Sequence, residues 1–492
     1  MTPSRRTLLK AVAGSAAAAV TACATTEARP DAGAARRVVV VGAGLAGLVA
    51  AASLRDAGWD VVVVEARERL GGRVHTLGRD GSFGSGASQP LIAEGGGESI
   101  DDRHDRLRWW ISELGLRTTS RLADRETSAL IDAAGLRTSG AELLGVDGGR
   151  VAADYERAYA AIENLAGDED PTQPAGWRDA ERLDAQDVAS FLDSLSLHPL
   201  ARFAVDSDLR SSYNCELGDL SLLLLAAQEA FETGDEETMR VAGGNSAVVD
   251  ALATRVGHSR IRRGAPVRSV RRRGGVYAVD AGGRTIWANR VVIAAPPVPV
   301  RRIRFDPALP AGLAAAVAGL DLGTTVKVVT RYDRRVWTAE GFSGLTVTDR
   351  DYRIAWDATD NVVGDGRPRV DEPALLTTFT SGDPGAAFGA MSPADRVAAV
   401  ARQLDATYAG DHEARTGTTA TVAWANERYT GGGYAFWRPG QVLTMSDVWR
   451  RPVRSGSDAG IWFAGEHTEP LVGYMESAVR SGERVARSIG RA

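Results

Sequence analysis

The sequence predicts an α/β protein in which a doubly wound, parallel-sheet domain is assembled from separate segments and an α+β domain is interleaved between them. An apolar run, a glycine-rich turn, a helix and a second apolar run occupy residues 38–75, and another buried strand and helix close the chain at 461–488. Between them, helical periodicity over 150–235 gives way to short β-like runs after Arg240. Alternation of this kind predicts a discontinuous architecture.

The N-terminal unit joins two valine-rich runs, Val38–Val41 and Val61–Val64, through a glycine-rich turn and an alanine-rich helix. Such runs suit strands that are buried on both faces of a parallel sheet. Gly42 permits the tight turn, Gly44 lets the backbone approach a pyrophosphate, and Gly47 lets helix and strand pack closely.

Glu65 ends the second run, 23 residues after Gly42. This is the spacing of an acid that binds a ribose hydroxyl. The helix N-terminus beside the turn offers N–H groups and a positive dipole to phosphates. The unit therefore predicts a Rossmann-like dinucleotide site.

The residues that follow distinguish FAD from NAD. Arg67 and the run Gly71-Gly72-Arg73 come directly after the acid. Adjacent glycines, of which Gly72 is the second, allow a backbone path that side chains would block, and Arg73 would then reach the pyrophosphate as a bidentate donor. This pattern resembles the extended FAD fingerprint of the flavin-containing amine oxidases; a surface turn with an exposed arginine is the alternative.

Composition excludes several classes of function. A net charge of −5 gives no large basic field for nucleic acid. Two cysteines, Cys23 and Cys215, and six scattered histidines cannot supply a disulfide framework or a metal cluster, so no metal site is predicted. The basic residues are almost all arginine, and the two lysines are Lys10 and Lys327.

The N-terminus resembles a targeting signal. The run Ser4–Lys10 resembles a twin-arginine export motif, and Ala11–Val20 is a short apolar core. Val20–Cys23 resembles a lipobox, which would place a lipid on Cys23 and the protein on the outer face of the cytoplasmic membrane. Cleavage at the same small residues would instead give a secreted or periplasmic protein, and a chance arginine pair in a cytoplasmic protein is the third alternative.

The predicted segments alternate between the two domains. They are a signal (1–24), a linker (25–35), a first FAD-binding part (36–90), a first, largely helical substrate part (91–238), a second FAD-binding part (239–305), a second substrate part (306–422) and a third FAD-binding part (423–492).

Further motifs extend the resemblance to the flavin monoamine oxidase and L-amino-acid oxidase superfamily, over nearly all of the mature chain. The motifs, in family order, are 94–100, 241–244, 264–267, 463–467 and 473–478. The resemblance implies that FAD is bound by the backbone of Val267 at adenine, by Gly465 and Glu466 at the ribityl–phosphate part, and by the backbone of Met475 at the flavin pyrimidine edge.

The resemblance also implies three catalytic residues. Lys327 matches the family lysine that holds a water at flavin N5, although an ordinary strand lysine is the alternative. Tyr434 and Tyr474 match the paired aromatic residues that flank the substrate amine, where opposed rings exclude water and tolerate a partially positive nitrogen. Gly433 stands where some relatives carry a flavin-linked cysteine, so FAD is expected to be noncovalent.

The expected function is FAD-dependent oxidation of a primary amine or L-amino acid, with hydride transfer to flavin N5, hydrolysis of the imine and formation of hydrogen peroxide. An amino acid needs a cation for its carboxylate, for which Arg210 is one candidate, whereas the tyrosine pair favours an amine. Glu98 would suit binding of the second positive charge of a diamine; alternatively, it is a capping or ion-pair residue within the protein. A dehydrogenase serving a periplasmic electron carrier, a flavin desaturase and a non-catalytic FAD-binding protein stay open, as does the oligomeric state, with a homodimer among the options.

Overall fold

The computed structural model describes residues 36–86, 90–120, 129–133, 135–143, 145–232, 239–359, 369–455 and 459–491. The predicted signal and linker, and with them Cys23, lie outside these ranges. The strands are β1 (Arg37–Val41), β2 (Asp60–Val64), β3 (Thr76–Leu77), β4 (Ala93–Glu94), β5 (Thr118–Ser120), β6 (Leu130–Ala133), β7 (Leu136–Ser139), β8 (Met239–Val241), β9 (Ile261–Arg262), β10 (Val267–Arg273), β11 (Val276–Ala281), β12 (Arg284–Ala288), β13 (Arg290–Ile293), β14 (Arg304–Asp306), β15 (Val326–Tyr332), β16 (Thr346–Thr348), β17 (Ile354–Asp357), β18 (Ala374–Thr380), β19 (Arg415–Ala423), β20 (Val453–Ser455) and β21 (Ala459–Phe463).

The helices separate these strands along the chain. They are α1 (Leu45–Asp56), α2 (Asp105–Glu113), α3 (Gly140–Leu143), α4 (Arg150–Ala166), α5 (Ala180–Asp184), α6 (Val188–Ser194), α7 (Pro199–Tyr213), α8 (Leu222–Glu232), α9 (Ser246–Val256), α10 (Pro297–Val300), α11 (Ala311–Gly319), α12 (Val336–Ala339), α13 (Gly382–Ala390), α14 (Pro393–Thr407), α15 (Asp411–Ala414), α16 (Gln441–Met445) and α17 (Met475–Gly490).

A six-stranded sheet with the order β20-β21-β13-β1-β2-β9 forms the first domain. Its strands come from the beginning, the middle and the end of the chain, and neighbours from β21 to β9 are parallel. The valine-rich strands β1 and β2 are buried along most of their length, as expected for strands covered on both faces. The discontinuous Rossmann-like domain predicted from the sequence is thereby confirmed.

Helix α1 is buried almost all round, because small and aliphatic residues occupy every side of it. It shares one apolar cluster with α9 and α17. Gly482 in α17 makes this contact close, since a Cβ built there would lie 2.5 Å from the Ala46 carbonyl oxygen of α1. The last helix of the chain therefore packs directly on the first.

The interleaved domain is built on a seven-stranded, mostly antiparallel sheet with the order β19-β15-β18-β17-β16-β6-β7. Strands β6 and β7 precede the helical segment α4–α8, and the other five follow it, so this domain is discontinuous as well. A smaller sheet, β12-β11-β10-β14, extends the first domain. The exact domain boundaries stay predictions.

Among the helices of the described ranges, none combines the length and hydrophobicity that crossing a membrane requires.

The contact between α1 and α17 gives a stability prediction. Gly482→Ala places a methyl group against the α1 backbone, so we expect a loss of about 1–3 kcal/mol in the free energy of unfolding. Gly490→Ala, in the same helix, is the control, because no described atom lies within 4 Å of its added Cβ. Thermal melts of the two variants would check this, and equal melting temperatures would contradict it.

Candidate active site

A cavity of about 720 Å³ has walls from both domains. We call the wall around Glu65 and Val267 the nucleotide wall, and the wall around Lys327, Tyr434 and Tyr474 the reactive wall. Of the fourteen predicted site residues, all except Gly47 line this cavity. The structure thus brings together residues from the N-terminal fingerprint and from five later segments of the chain.

The turn between β1 and α1 has the shape that a pyrophosphate needs. Gly42 has φ of +104°, and a Cβ there would lie 2.7 Å from the Ala294 carbonyl oxygen. Gly47 packs instead of lining the cavity, since its Cβ would lie 2.0 Å from the Gly42 carbonyl oxygen. At Gly44 no described atom lies within 4 Å of a built Cβ, so a ligand can approach the backbone at the start of α1.

Glu65 is buried at the end of β2, and its carboxylate accepts hydrogen bonds from the Ala43 and Arg67 backbone N–H groups at 2.8 and 2.9 Å. Its own carbonyl accepts from the Ala265 N–H at 2.8 Å, which brings the segment leading to Val267 to the same wall. The acid and the adenine-side backbone predicted from the sequence are therefore neighbours.

The two arginines of the N-terminal fingerprint are ion-paired. Arg67 donates to the carboxylate of Glu427 and, at 2.5 Å, to the Thr430 hydroxyl. Arg73 Nη1 donates to Glu466 Oε1 and to the Gly433 carbonyl, both at 2.7 Å.

Glu466 is fixed from several sides. Its Oε2 accepts from the Gly473 N–H at 2.8 Å, while Oε1 binds Arg73. Burial alone would raise the pKa of Glu466, but the Arg73 charge and the hydrogen bonds outweigh it and hold this pKa below its usual value. Glu466 is therefore an anion that links the glycine-rich segments before and after it.

Tyr434 and Tyr474 both line the cavity at the reactive wall. The Tyr434 hydroxyl donates to the Ser211 carbonyl at 2.7 Å, and a Cβ at Gly473 would lie 3.2 Å from the Tyr434 ring. Tyr474 directly follows that glycine and meets the His104 ring edge-on, with centroids 5.4 Å apart. Burial raises the pKa of Tyr434 far above its usual value, so its hydroxyl stays neutral.

Lys327 lies on β15 and is buried. Its ammonium donates to the Glu94 and Gly96 carbonyls at 3.0 and 3.1 Å and to Glu98 Oε2 at 2.6 Å. The predicted role of holding a water stays a prediction, and it requires one of these hydrogen bonds to open.

A family model described as flavin containing amine oxidoreductase matches residues 45–490. The chain belongs to this family. A second model, pyridine nucleotide-disulphide oxidoreductase, matches residues 2–77.

Similar proteins include oxidases of different amines. Flavin-dependent L-tryptophan oxidase RebO of Lentzea aerocolonigenes is 27% identical over 92% of this chain and 98% of its own length. Flavin-containing amine oxidase B of Bos taurus is 25% identical over 92% of this chain and 85% of its own. Putrescine oxidase in complex with putrescine has a TM-score of 0.80 and 26% identity, covering 93% of this chain and 99% of that one.

This amine oxidase binds FAD noncovalently. The glycine turn, the α1 N-terminus and Glu65 would hold the adenosine diphosphate part, and the start of α17 at Met475 lies on the same cavity. Gly433 leaves no room for the cysteine that some relatives link to the flavin, because a Cβ would lie 2.4 Å from Thr325 Oγ1.

Arg210, considered above for a substrate carboxylate, lies elsewhere, and two tryptophans near the cavity differ in their surroundings. Arg210 is paired with Asp206 and Glu216 and does not line the cavity. Trp424 lines it and donates to the Gly95 carbonyl at 2.9 Å, whereas Trp437 belongs to the core.

Sequence reasoning missed Arg240, Trp356 and Phe379. Arg240 pairs with Glu98, and Trp356 donates to the same carboxylate. Ile354 and Trp356 alternate along β17 and both line the cavity, a period of two that was readable in the sequence. Arg240 gave no such signal.

Glu94 of the amine oxidase is a buried acid with an unusual charge state. Burial raises its pKa to about 7, and the Glu98 charge adds to the effect, although the Asn245 N–H and the Thr76 hydroxyl bind it and act in the opposite direction. The folded protein thus holds a proton that the unfolded chain releases nearer pH 4.5. The stabilisation of the folded state by this bound proton is complete below pH 4.5 and is lost as the pH rises through about 7.

We therefore expect Glu94→Gln, which stays neutral, to gain about 2–3 kcal/mol of stability relative to the wild type between pH 5 and 8. Thermal melts across this range, in saturating FAD, measure the difference. Glu163→Gln on the exposed side of α4 is the matched control. Parallel pH profiles of wild type and Glu94→Gln would contradict the expectation.

Proposed function

We propose that this enzyme oxidises a primary amine with an apolar body and no carboxylate, and passes the electrons to oxygen to form hydrogen peroxide. The observation that carries the proposal is the distribution of arginines around the cavity. Those lining it in the described ranges are Arg67, Arg73, Arg268, Arg302 and Arg428.

Four of these arginines lie on the nucleotide wall, whereas Arg73 reaches the Gly433 carbonyl beside Tyr434. Arg67 and Arg428 both lie over the Tyr429 ring, and Arg302 donates to the Arg428 carbonyl at 3.1 Å. Arg268 follows Val267, and Arg73 is paired with Glu466. Because a substrate carboxylate needs a cation, the reactive wall favours an amine over an L-amino acid.

The reactive wall carries apolar side chains instead. Trp356 and Phe379 lie with their ring centroids 6.1 Å apart, and the wall continues through Tyr213, Leu345, Ile354 and Val472. Such a surface gains free energy by burying the hydrocarbon part of an amine. Glu98 already accepts from Lys327, Arg240 and Trp356, which argues against its use by the second ammonium of a diamine.

The protein's own contribution to the reaction is orientation and exclusion of water. FAD, when bound, supplies the electron-accepting chemistry. Tyr434 and Tyr474 offer ring faces that pack on a small amine and attract its partial positive charge. The Tyr434 hydroxyl is turned to the Ser211 carbonyl and neutral, so it holds the ring and does not take a proton from the substrate.

The proposal predicts which compounds reduce the bound flavin. Under anaerobic conditions we expect benzylamine to bleach its visible absorbance at least tenfold faster than L-phenylalanine or putrescine, because the reactive wall suits an apolar body and lacks an arginine. Faster bleaching by L-phenylalanine would contradict the amine assignment. Admitting air then separates acceptors: rapid reoxidation with hydrogen peroxide supports an oxidase, and slow reoxidation supports a dehydrogenase that uses a carrier.

We also propose that the chain is exported by the twin-arginine route and acylated on Cys23, on the strength of the motifs at Ser4–Lys10 and Val20–Cys23. Replacement of Arg5 and Arg6 by lysine is expected to retain the enzyme in the cytoplasm, and Cys23→Ser to release it from the membrane fraction. Cell fractionation with activity staining measures both. Wild-type enzyme in the cytoplasm would contradict export, and an unchanged membrane fraction for Cys23→Ser would contradict acylation.

A further inference from the structure

The arginines of this protein are spread unevenly along the chain. Residues 260–304 contain twelve arginines and one acidic residue, Asp280, although the whole chain has a net charge of −5. This segment includes β9, the small sheet β12-β11-β10-β14 and β13. The remainder of the chain is therefore strongly acidic, and the small sheet lies in a positive region of a protein that is negative as a whole.

The strand register places three consecutive arginines of this segment at one end of the molecule. Arg271 of β10 and Trp287 of β12 lie opposite the same residue of β11, so they share one face of the small sheet. Two residues after Trp287, the Asn289 N–H donates to the Arg37 carbonyl at 3.2 Å, at the start of β1. The end of the small sheet that carries Arg271–Arg273 therefore lies beside the start of the described chain.

The last helix brings another arginine to this end. Arg290, the first residue of β13, donates to the Ile489 carbonyl at 3.0 Å, so α17 ends beside the start of β13. Arg491 follows it and is exposed, as is Arg36 just before β1. We call this end the basal surface and define it by Arg36, Arg271, Arg272 and Arg491. It lies at the N-terminal ends of the parallel strands, whereas the cofactor turn follows the C-terminal end of β1.

The charges of the basal surface are not neutralised within the protein. Across the described ranges, none of its four arginines is paired with a carboxylate. Arg36 lies over the Trp59 ring, 5.5 Å from its centre, and Arg272 donates to the Gly274 carbonyl at 3.1 Å. Neither contact removes a charge, so the surface presents several cations to an external partner.

We propose that the basal surface docks the enzyme on a bilayer that contains anionic phospholipids. Arginines close to such a bilayer are attracted by its negative surface potential, and their contributions add up. The attraction falls off within the Debye length, about 8 Å at physiological ionic strength, so the attachment is sensitive to salt. Trp287 is half-buried on the same sheet face as Arg271, and tryptophan is enriched at the headgroup level of membranes.

The point at which the chain enters the fold favours a membrane over a soluble acidic protein. Cys23, the proposed site of acylation, lies 13 positions before Arg36. A stretch of this length spans at most about 45 Å. An acyl group in the bilayer would thus keep the basal surface near the headgroups and turn the cofactor site away from them. The cellular location rests on the export proposed above, whereas lipid binding rests on the arginines alone.

Sedimentation with lipid vesicles tests the inference. The protein is the FAD-loaded chain from residue 23 onward with Cys23→Ser, which has neither signal nor acyl group. We expect it to bind vesicles of about 30% phosphatidylglycerol in phosphatidylcholine at least tenfold more tightly than pure phosphatidylcholine vesicles at about 50 mM NaCl. Because salt screens exposed charges, binding should be lost at about 500 mM NaCl.

Charge reversal at the basal surface should abolish this preference. Arg271→Glu/Arg272→Glu is expected to bind the anionic vesicles at least tenfold more weakly. Arg178→Glu/Arg402→Glu is the matched control, with the same change of charge at two exposed arginines elsewhere, and should stay within twofold of the unmutated surface. If the first variant does not fold, Arg36→Glu/Arg491→Glu tests the same surface and is expected to weaken binding in the same way.

Three results would overturn the proposal. They are equal binding of both vesicle types, equal loss of binding in the basal and control variants, and binding to soluble poly-L-glutamate without binding to vesicles. The last result would assign the surface to an acidic protein instead. No amine enters these measurements, so their failure is distinct from a failure of the proposed function.

Discussion

The structure depends on the ion pair between Arg73 and Glu466. The two residues are 393 positions apart in the chain, yet Arg73 Nη1 lies 2.7 Å from the Glu466 carboxylate and equally close to the Gly433 carbonyl. The pair fixes the N-terminal glycine-rich unit to the segments that carry Tyr434 and Tyr474. Arg67 adds a second link of the same kind, to Glu427. A domain made of distant segments needs such contacts, because parallel strands alone do not fix the loops at their ends.

The same contacts explain the glycines of the segment after β4. The Gly97 N–H donates to the Arg73 carbonyl at 3.0 Å, and a Cβ at Gly96 would lie 1.8 Å from that carbonyl oxygen. On the other side of this segment, the Glu94 and Gly96 carbonyls accept hydrogen bonds from the Lys327 ammonium. The loop is thus held between the Arg73 backbone and a buried lysine, and only glycine allows the backbone to pass so closely.

Local sequence predicts the parts of this molecule whose structure depends on residue type and short-range spacing. The turn at Gly42, the acid at Glu65 and the buried strands β1 and β2 follow from residue type and spacing, and the structure has them in that form. Strand β19 was missed because its threonine-rich sequence lacks an apolar alternation and is only half-buried. The partners of Lys327 could not be predicted, because the 94–98 loop and Arg240 approach it from segments separated by 87 residues or more.

Charge is divided unevenly along the cavity, and this division connects cofactor binding with the choice of substrate. Arginines line the nucleotide wall, where a diphosphate needs them, whereas the reactive wall has one lysine whose charge is already shared with Glu98. A substrate carboxylate would have to displace Glu98 from Lys327 and from Arg240 to find a cation there. That exchange would bury a second anion beside Glu98 and leave the two carboxylates competing for the same cations, which a buried site resists. Under the proposed function, the pairing of Lys327 with Glu98 would also disfavour an amino acid, so the charge balance around the lysine and the selection of an amine would have a common physical cause.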